Sequence, residues 1–235
     1  MKKSAVLIVL AAALSFYSGV GSGEAQSPPT EANTPATVTF QFDRMGVSVP
    51  RFTMVLREDG SGTYHAEEVE RRSADQALQQ VNAKLIDRKM MLTTEMTAKI
   101  FRTARKLNRF TDFCGTKVKN IADTGTKTLS YVGADGVGSC TYNFSDDKNV
   151  TLLTDLFYSI AYTMDIGRKL DFERRFDRLG LDAEMIALEQ SAQDKNALEL
   201  GTIASTLTTI AGDQDLIQRV RMRAAKLLEQ ASANK

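Results

Sequence analysis

The side chains able to do chemistry in this 235-residue chain are few: one histidine, two cysteines and no tryptophan, among 30 basic and 29 acidic residues. His65 is the only imidazole, and Glu67 lies two positions on, on the same face of an alternating segment. A zinc centre needs several nitrogen or sulfur ligands, which one His and two Cys supply poorly. The stretches Asp123-Thr124-Gly125 and Asp146-Asp147-Lys148-Asn149 lack the spacing and closing bidentate Glu of an EF-hand loop. No Gly-x-Ser-x-Gly elbow is present to expose a nucleophilic serine. The glycines at 125, 133, 136 and 138 do not form a phosphate-binding fingerprint ahead of a helix. No metal site and no cofactor are therefore expected. One catalytic reading stays open, a hydrolase using acidic residues and His65.

Cys114 and Cys140 have a different chemistry. No Cys-x-x-Cys spacing marks a redox pair. In an exported chain two cysteines are expected to pair. A Cys114–Cys140 bridge would close a loop worth about 3–4 kcal/mol in the chain-entropy model. Two buried, unpaired thiols are the alternative.

Export is expected from the N-terminus. Lys2 and Lys3 precede an apolar run from Ala5 to Phe16, and Gly23-Glu24-Ala25 places small residues ahead of a cut before Gln26. That is the order of a secretory signal over 1–25. The apolar run is short of the roughly 20 residues that a span requires. An uncleaved anchor is the other possibility. The expected location is periplasmic or extracellular, with no membrane span after cleavage. Removing Lys2, Lys3 and Glu24 leaves basic and acidic side chains equal in number. Nucleic-acid binders carry a basic excess or stripe, so no nucleic-acid partner is expected.

The elements that position these groups follow from periodicity. Residues 26–37 hold three of the four prolines among small polar residues and predict a flexible leader. Val38, Phe40 and Phe42 alternate with polar neighbours, as do Phe52, Met54 and Leu56, and both segments predict half-buried strands. Glu58-Asp59-Gly60-Ser61-Gly62 predicts a turn, with Thr63–Val69 returning as a partner strand. Residues 74–83 fit a helix or a strand, and Leu85–Leu92 a strand. Thr93 or Thr94 caps a helix with Met96, Ile100, Ala104 and Leu107 on one stripe. Asp135-Gly136 joins two further strands, Lys127–Ala134 and Val137–Phe144. Past Asp146 the period changes from two to 3.6. One helix is expected to run to Leu179, bent near Gly167 and ended by Gly180. Asp182, Asp194 and Asp213 are expected to open three more. The fold class is α+β: an antiparallel sheet of hairpins with one packed helix (38–146), then a C-terminal helical hairpin or bundle (147–235). Whether these are separate domains is left open.

In that helical part, Val220-Arg221-x-x-Ala224-x-x-Leu227-Leu228, preceded by Asp213 and Asp215, resembles the second helix of a HEAT repeat. The resemblance covers residues 195–230 and implies protein binding without catalysis. The whole chain also resembles exported bacterial proteins. Tyr158, Tyr162 and Met185 are candidate contact side chains, with helix-on-helix packing as their other role. The leading functional expectation is a non-enzymatic exported protein that binds another protein or an envelope component.

Overall fold

A computed structural model describes residues 35–69 and 83–233. The expected signal and most of the leader, and nearly all of the ambiguous segment 74–83, lie outside the described residues. Six strands form one antiparallel sheet: β1 (Thr37–Asp43), β2 (Arg51–Arg57), β3 (Ser61–Val69), β4 (Ala83–Met91), β5 (Thr126–Gly133) and β6 (Gly136–Tyr142), in the order β4-β3-β2-β1-β5-β6. Alternation along each strand sorts the side chains onto two faces. Val38, Phe40, Met54, Leu56, Tyr64, Leu129 and Tyr131 are fully buried on one. The other carries hydroxyls, including Thr39, Thr53, Thr63, Thr128 and Ser130, and no described element covers it.

The buried face packs on two helices, α1 (Thr94–Lys106) and the 29-residue α2 (Lys148–Phe176). Thr93 caps α1 by accepting the Met96 N–H, and Ile100, Phe101 and Ala104 enter the core. Asp147 caps α2, accepting from Asn149 and Val150. The Phe157 ring stacks on Phe40 with centroids 4.9 Å apart.

After α2 the helix boundaries differ from the sequence expectation. The helix runs through Gly167 but stops at Phe176, because Asp177 caps α3 (Arg178–Gln193) and accepts the Gly180 N–H at 2.9 Å. Gly180 thus lies in the first turn of a helix and does not end one. Asp182 is not a cap; it sits inside α3 and receives Arg219 and Arg223. Asp194 closes α3. A 3₁₀ turn (Leu200–Ile203) leads into α4 (Ala204–Gly212), and α5 (Gln218–Ala233) starts five residues after Asp213. An aspartate is favoured at a helix N-cap and equally in the turns between helices, so spacing alone did not say which one caps.

Two apolar cores result. The first joins the sheet, α1 and the N-terminal half of α2 up to Met164. The second starts at Ile166 of α2 and includes Leu170, Leu181, Met185, Leu188, Leu207, Val220 and Leu227. α4 and α5 form a packed pair with Val220, Ala224 and Leu227 buried. One helix therefore contributes to both cores.

Cys114 and Cys140 are bridged, with Cα atoms 6.1 Å apart. The bridge ties the segment after α1 to the middle of β6. Beside it, Asn108, Arg109 and Phe110 are all left-handed, with φ of 48°, 56° and 65°. Each such residue costs roughly 1–2 kcal/mol. The turn closes on β6 at Gly138, where a Cβ would stand 2.2 Å from the Arg109 carbonyl oxygen. Glycine at 138 is what lets this turn pack on the inward face of β6. Among the described residues no helix is long and apolar enough to cross a membrane.

Candidate functional site

One end of the sheet forms an aromatic pocket of about 390 Å³ against the start of α2. Its floor is a single row across three strands: Phe42 on β1 opposes Lys127 on β5, which opposes Tyr142 on β6. Its wall is Thr151, Thr154, Asp155 and Tyr158, whose i, i+3, i+4, i+7 spacing puts them on one face of α2. Arg44, Thr124, Asn143, Phe144 and Ser145 complete the lining. Phe144 is half exposed.

Lys127 stands at an inward position of its strand and is only 4% exposed. Its ammonium donates to the carbonyls of Gly125 (2.8 Å) and Asn143 (2.5 Å) and to the Thr124 hydroxyl (2.9 Å). All three acceptors are neutral. Burial pushes its pKa below the ordinary lysine value, with the Asp123 charge opposing and Arg44 adding to the shift. The Tyr142 ring lies 5.8 Å from the ammonium. The loop holding the Thr124 and Gly125 oxygens turns at Gly125, φ +91°, where a Cβ would lie 2.5 Å from the Phe42 ring. The Asn143 side chain fixes the same loop, accepting the Thr124 N–H at 2.8 Å and donating to the Ala122 carbonyl.

The Thr154 hydroxyl donates to the Val150 carbonyl, so the Tyr142 hydroxyl, 2.5 Å away, donates to Thr154. Burial pushes Tyr142 up to about 12. Tyr158 meets Phe40 and Phe42 edge-on, at 5.8 and 5.4 Å between centroids. Burial, then the neighbouring Tyr142, raise its pKa well above the ordinary phenol value. Among the described residues its hydroxyl has no hydrogen-bond partner in the protein. Asp155 reaches solvent, but partial burial of its carboxyl raises its pKa. Four groups with displaced proton affinity thus line one cavity, a concentration typical of ligand sites.

Of the three side chains singled out in the sequence, only Tyr158 lies here. Tyr162 sits further along α2, and its hydroxyl meets Ser191 Oγ at 3.0 Å, joining α2 to α3. Met185 is fully buried in the second core, so its contacts are helix on helix. His65 lies on the open sheet face, half exposed, with Nδ1 3.3 Å from Asp87 on the neighbouring strand. It borders a shallow concavity with Arg51, Thr53, Glu67 and Thr128. Its carboxylate partner is Asp87 across the strand pair; Glu67, two positions on, pairs with Arg51.

Sequence reasoning missed Phe42, Arg44, Lys127, Phe144 and Asp155 as a group. A signal was present for one of them: Lys127 precedes Leu129 and Tyr131 at the same parity, a charge on an apolar face. The others meet only because β1, β6 and α2 end at the same place. Among the described residues no three His, Cys, Asp or Glu side chains are grouped to hold a metal ion. The chain matches no protein-family model and no curated protein.

Proposed function

We propose that this chain is an exported, non-enzymatic binding protein that takes one ring or aliphatic side chain of a partner protein or envelope component into the pocket at the end of its sheet. The observation that carries this reading is the convergence of Phe42, Tyr142, Phe144 and Tyr158 with Arg44, Lys127 and Asp155 around one cavity. Aromatic faces supply apolar contact area at low entropic cost, and the few polar groups orient what enters. The cavity volume suits a single group, not a polymer segment. The Lys127 ammonium is already saturated by backbone and hydroxyl oxygens, which makes it a fixed positive field and not a nucleophile. The disulfide supports a location outside the cytoplasm.

A second reading, an extracytoplasmic hydrolase, centres on His65. Asp87, His65 and Thr53 occupy one row across β4, β3 and β2. One experiment separates the two. The wild-type protein and its Phe144→Ala and His65→Ala variants are used as bait in envelope extract and assayed on chromogenic esters and peptides. The binding reading expects a specific species whose capture falls about tenfold in F144A, the loss of an interface anchor, and is unchanged in H65A. Equal capture by all three baits, or none, overturns it. Hydrolysis abolished in H65A establishes the second.

A further inference from the structure

The two edges of the sheet are finished differently. On β6 the left-handed turn at Asn108–Phe110 and the disulfide pack on the inward-facing positions Gly138 and Cys140. β4 has β3 on one side, and among the described residues no strand on the other. Its pairing parity is fixed at one end: the Leu92 N–H donates to the Gly60 carbonyl, and the register then runs without a break from Met91–Ser61 to Ala83–Val69. Hydrogen-bonded pairs alternate along an antiparallel ladder. Met90, Arg88, Ile86 and Lys84 therefore bond toward β3. Leu85, Asp87, Lys89 and Met91 turn their N–H and C=O groups outward.

Those same four residues place their side chains on the open face, level with Glu67, His65, Thr63 and Ser61. Leu85 and Met91 are 78% and 61% exposed, large values for apolar side chains. Read from Leu85 through Asp87 and Lys89 to Met91, the order is apolar, acidic, basic, apolar. This order is its own complement when the strand is laid antiparallel against a copy of itself.

We infer that β4 is a homodimerisation strand, pairing antiparallel with β4 of a second copy about a two-fold axis at Arg88. In that register Leu85 faces Met91 and Asp87 faces Lys89, each twice. All four outward-bonding residues find partners at their hydrogen-bonded positions. On the inner face Ile86 meets Met90, extending the first core, and each Arg88 keeps its own Asp171, 3.7 Å away. Charged side chains on an edge ordinarily keep strands apart. Here the acid and base are spaced so that the symmetric mate neutralises both. A two-fold contact of this kind closes on itself, so the β4 pairing by itself gives a dimer.

The test is sedimentation equilibrium on the full chain and on Asp87→Lys and Lys89→Asp, with circular dichroism melts confirming that each is folded. The wild type is expected to dimerise. Each single variant sets two like-charge pairs across the interface and is expected to dimerise about tenfold more weakly or worse. Mixing D87K with K89D restores opposite charges and is expected to give a heterodimer, and the double variant D87K/K89D a homodimer. A wild type still monomeric at about 100 µM overturns the inference. So does a dimer indifferent to either single reversal, or a mixture that fails to recover.

Discussion

The Tyr64 hydroxyl donates to Asp165 Oδ1 at 2.9 Å, and Arg168 lies close by, bonded to Glu68 at 2.5 Å. Both Tyr64 and Arg168 favour the Asp165 carboxylate, yet burial dominates and pushes its pKa up to about 6. Glu68 adds in the same direction. An unfolded Asp titrates near 4, so the native state holds this proton more tightly than the unfolded chain. The stabilising contribution is full below about pH 4 and is lost as pH rises to about 6. Above that, the fold carries a charge that costs on the order of 2 kcal/mol. Asp165→Asn keeps an acceptor for Tyr64 and removes the charge. Urea denaturation across pH is expected to show the stability difference between D165N and wild type growing by about 1–2 kcal/mol between pH 4 and pH 7. A difference that stays flat over that range contradicts burial as the cause. The same physics explains why Asp165 was invisible as a special residue in the sequence. An acid inside an apolar helical run excludes a membrane span, but only the fold shows that Tyr64, about 100 residues away, turns to meet it.

At the scale of elements, the disulfide and the turn beside it act together. Three consecutive left-handed residues are an unfavourable local choice, held by Gly138 and by the crosslink to β6. Reducing Cys114–Cys140, or replacing both with serine, is expected to lower stability by about 2–4 kcal/mol. Hydrogen exchange is the sharper readout. β6 and the segment 108–114 should lose protection first, while β2, shielded by β1 and β3, keeps its own. Equal loss in β2 and β6 would show that the bridge does not act locally. The pairing itself was legible from two cysteines in a chain expected to be exported. So were all six strands where the alternation is clear, the Thr93 cap and the Asp135-Gly136 hairpin. The helix ends after Phe176 were not, because Asp177, Asp182, Asp194 and Asp213 are chemically equivalent candidates and tertiary partners decide among them. Asp182, for example, is claimed by Arg219 and Arg223 from α5. The pocket was not legible either. Its aromatic and charged members come from β1, β5, β6 and α2, and only Tyr158 stood out beforehand.

For the whole molecule, the decisive fact is that α2 is unbroken where one core gives way to the other, between Met164 and Ile166. Val150 to Met164 serve the sheet, and Ile166 and Leu170 serve the helices. Two cores threaded on one rigid helix share its folding cost. Further links bridge them: the Glu199 carboxylate accepts both the N–H and the hydroxyl of Thr93, at 2.7 and 2.8 Å, so the helical part supplies a second cap to α1. Arg88 of β4 reaches Asp171, which also accepts from Thr206 of α4. Damage in the second core should therefore be felt in the first. Leu207→Ala removes a fully buried side chain of α4 and is expected to cost about 2–5 kcal/mol. If the parts fold as one unit, far-ultraviolet and near-ultraviolet circular dichroism will report a single coincident transition. Exchange protection in β1, at the centre of the sheet, will then fall by the same free energy as protection in α5. If the sheet instead keeps its protection while α4 and α5 lose theirs, the two cores are independent, and α2 is a spacer between them and not their common support.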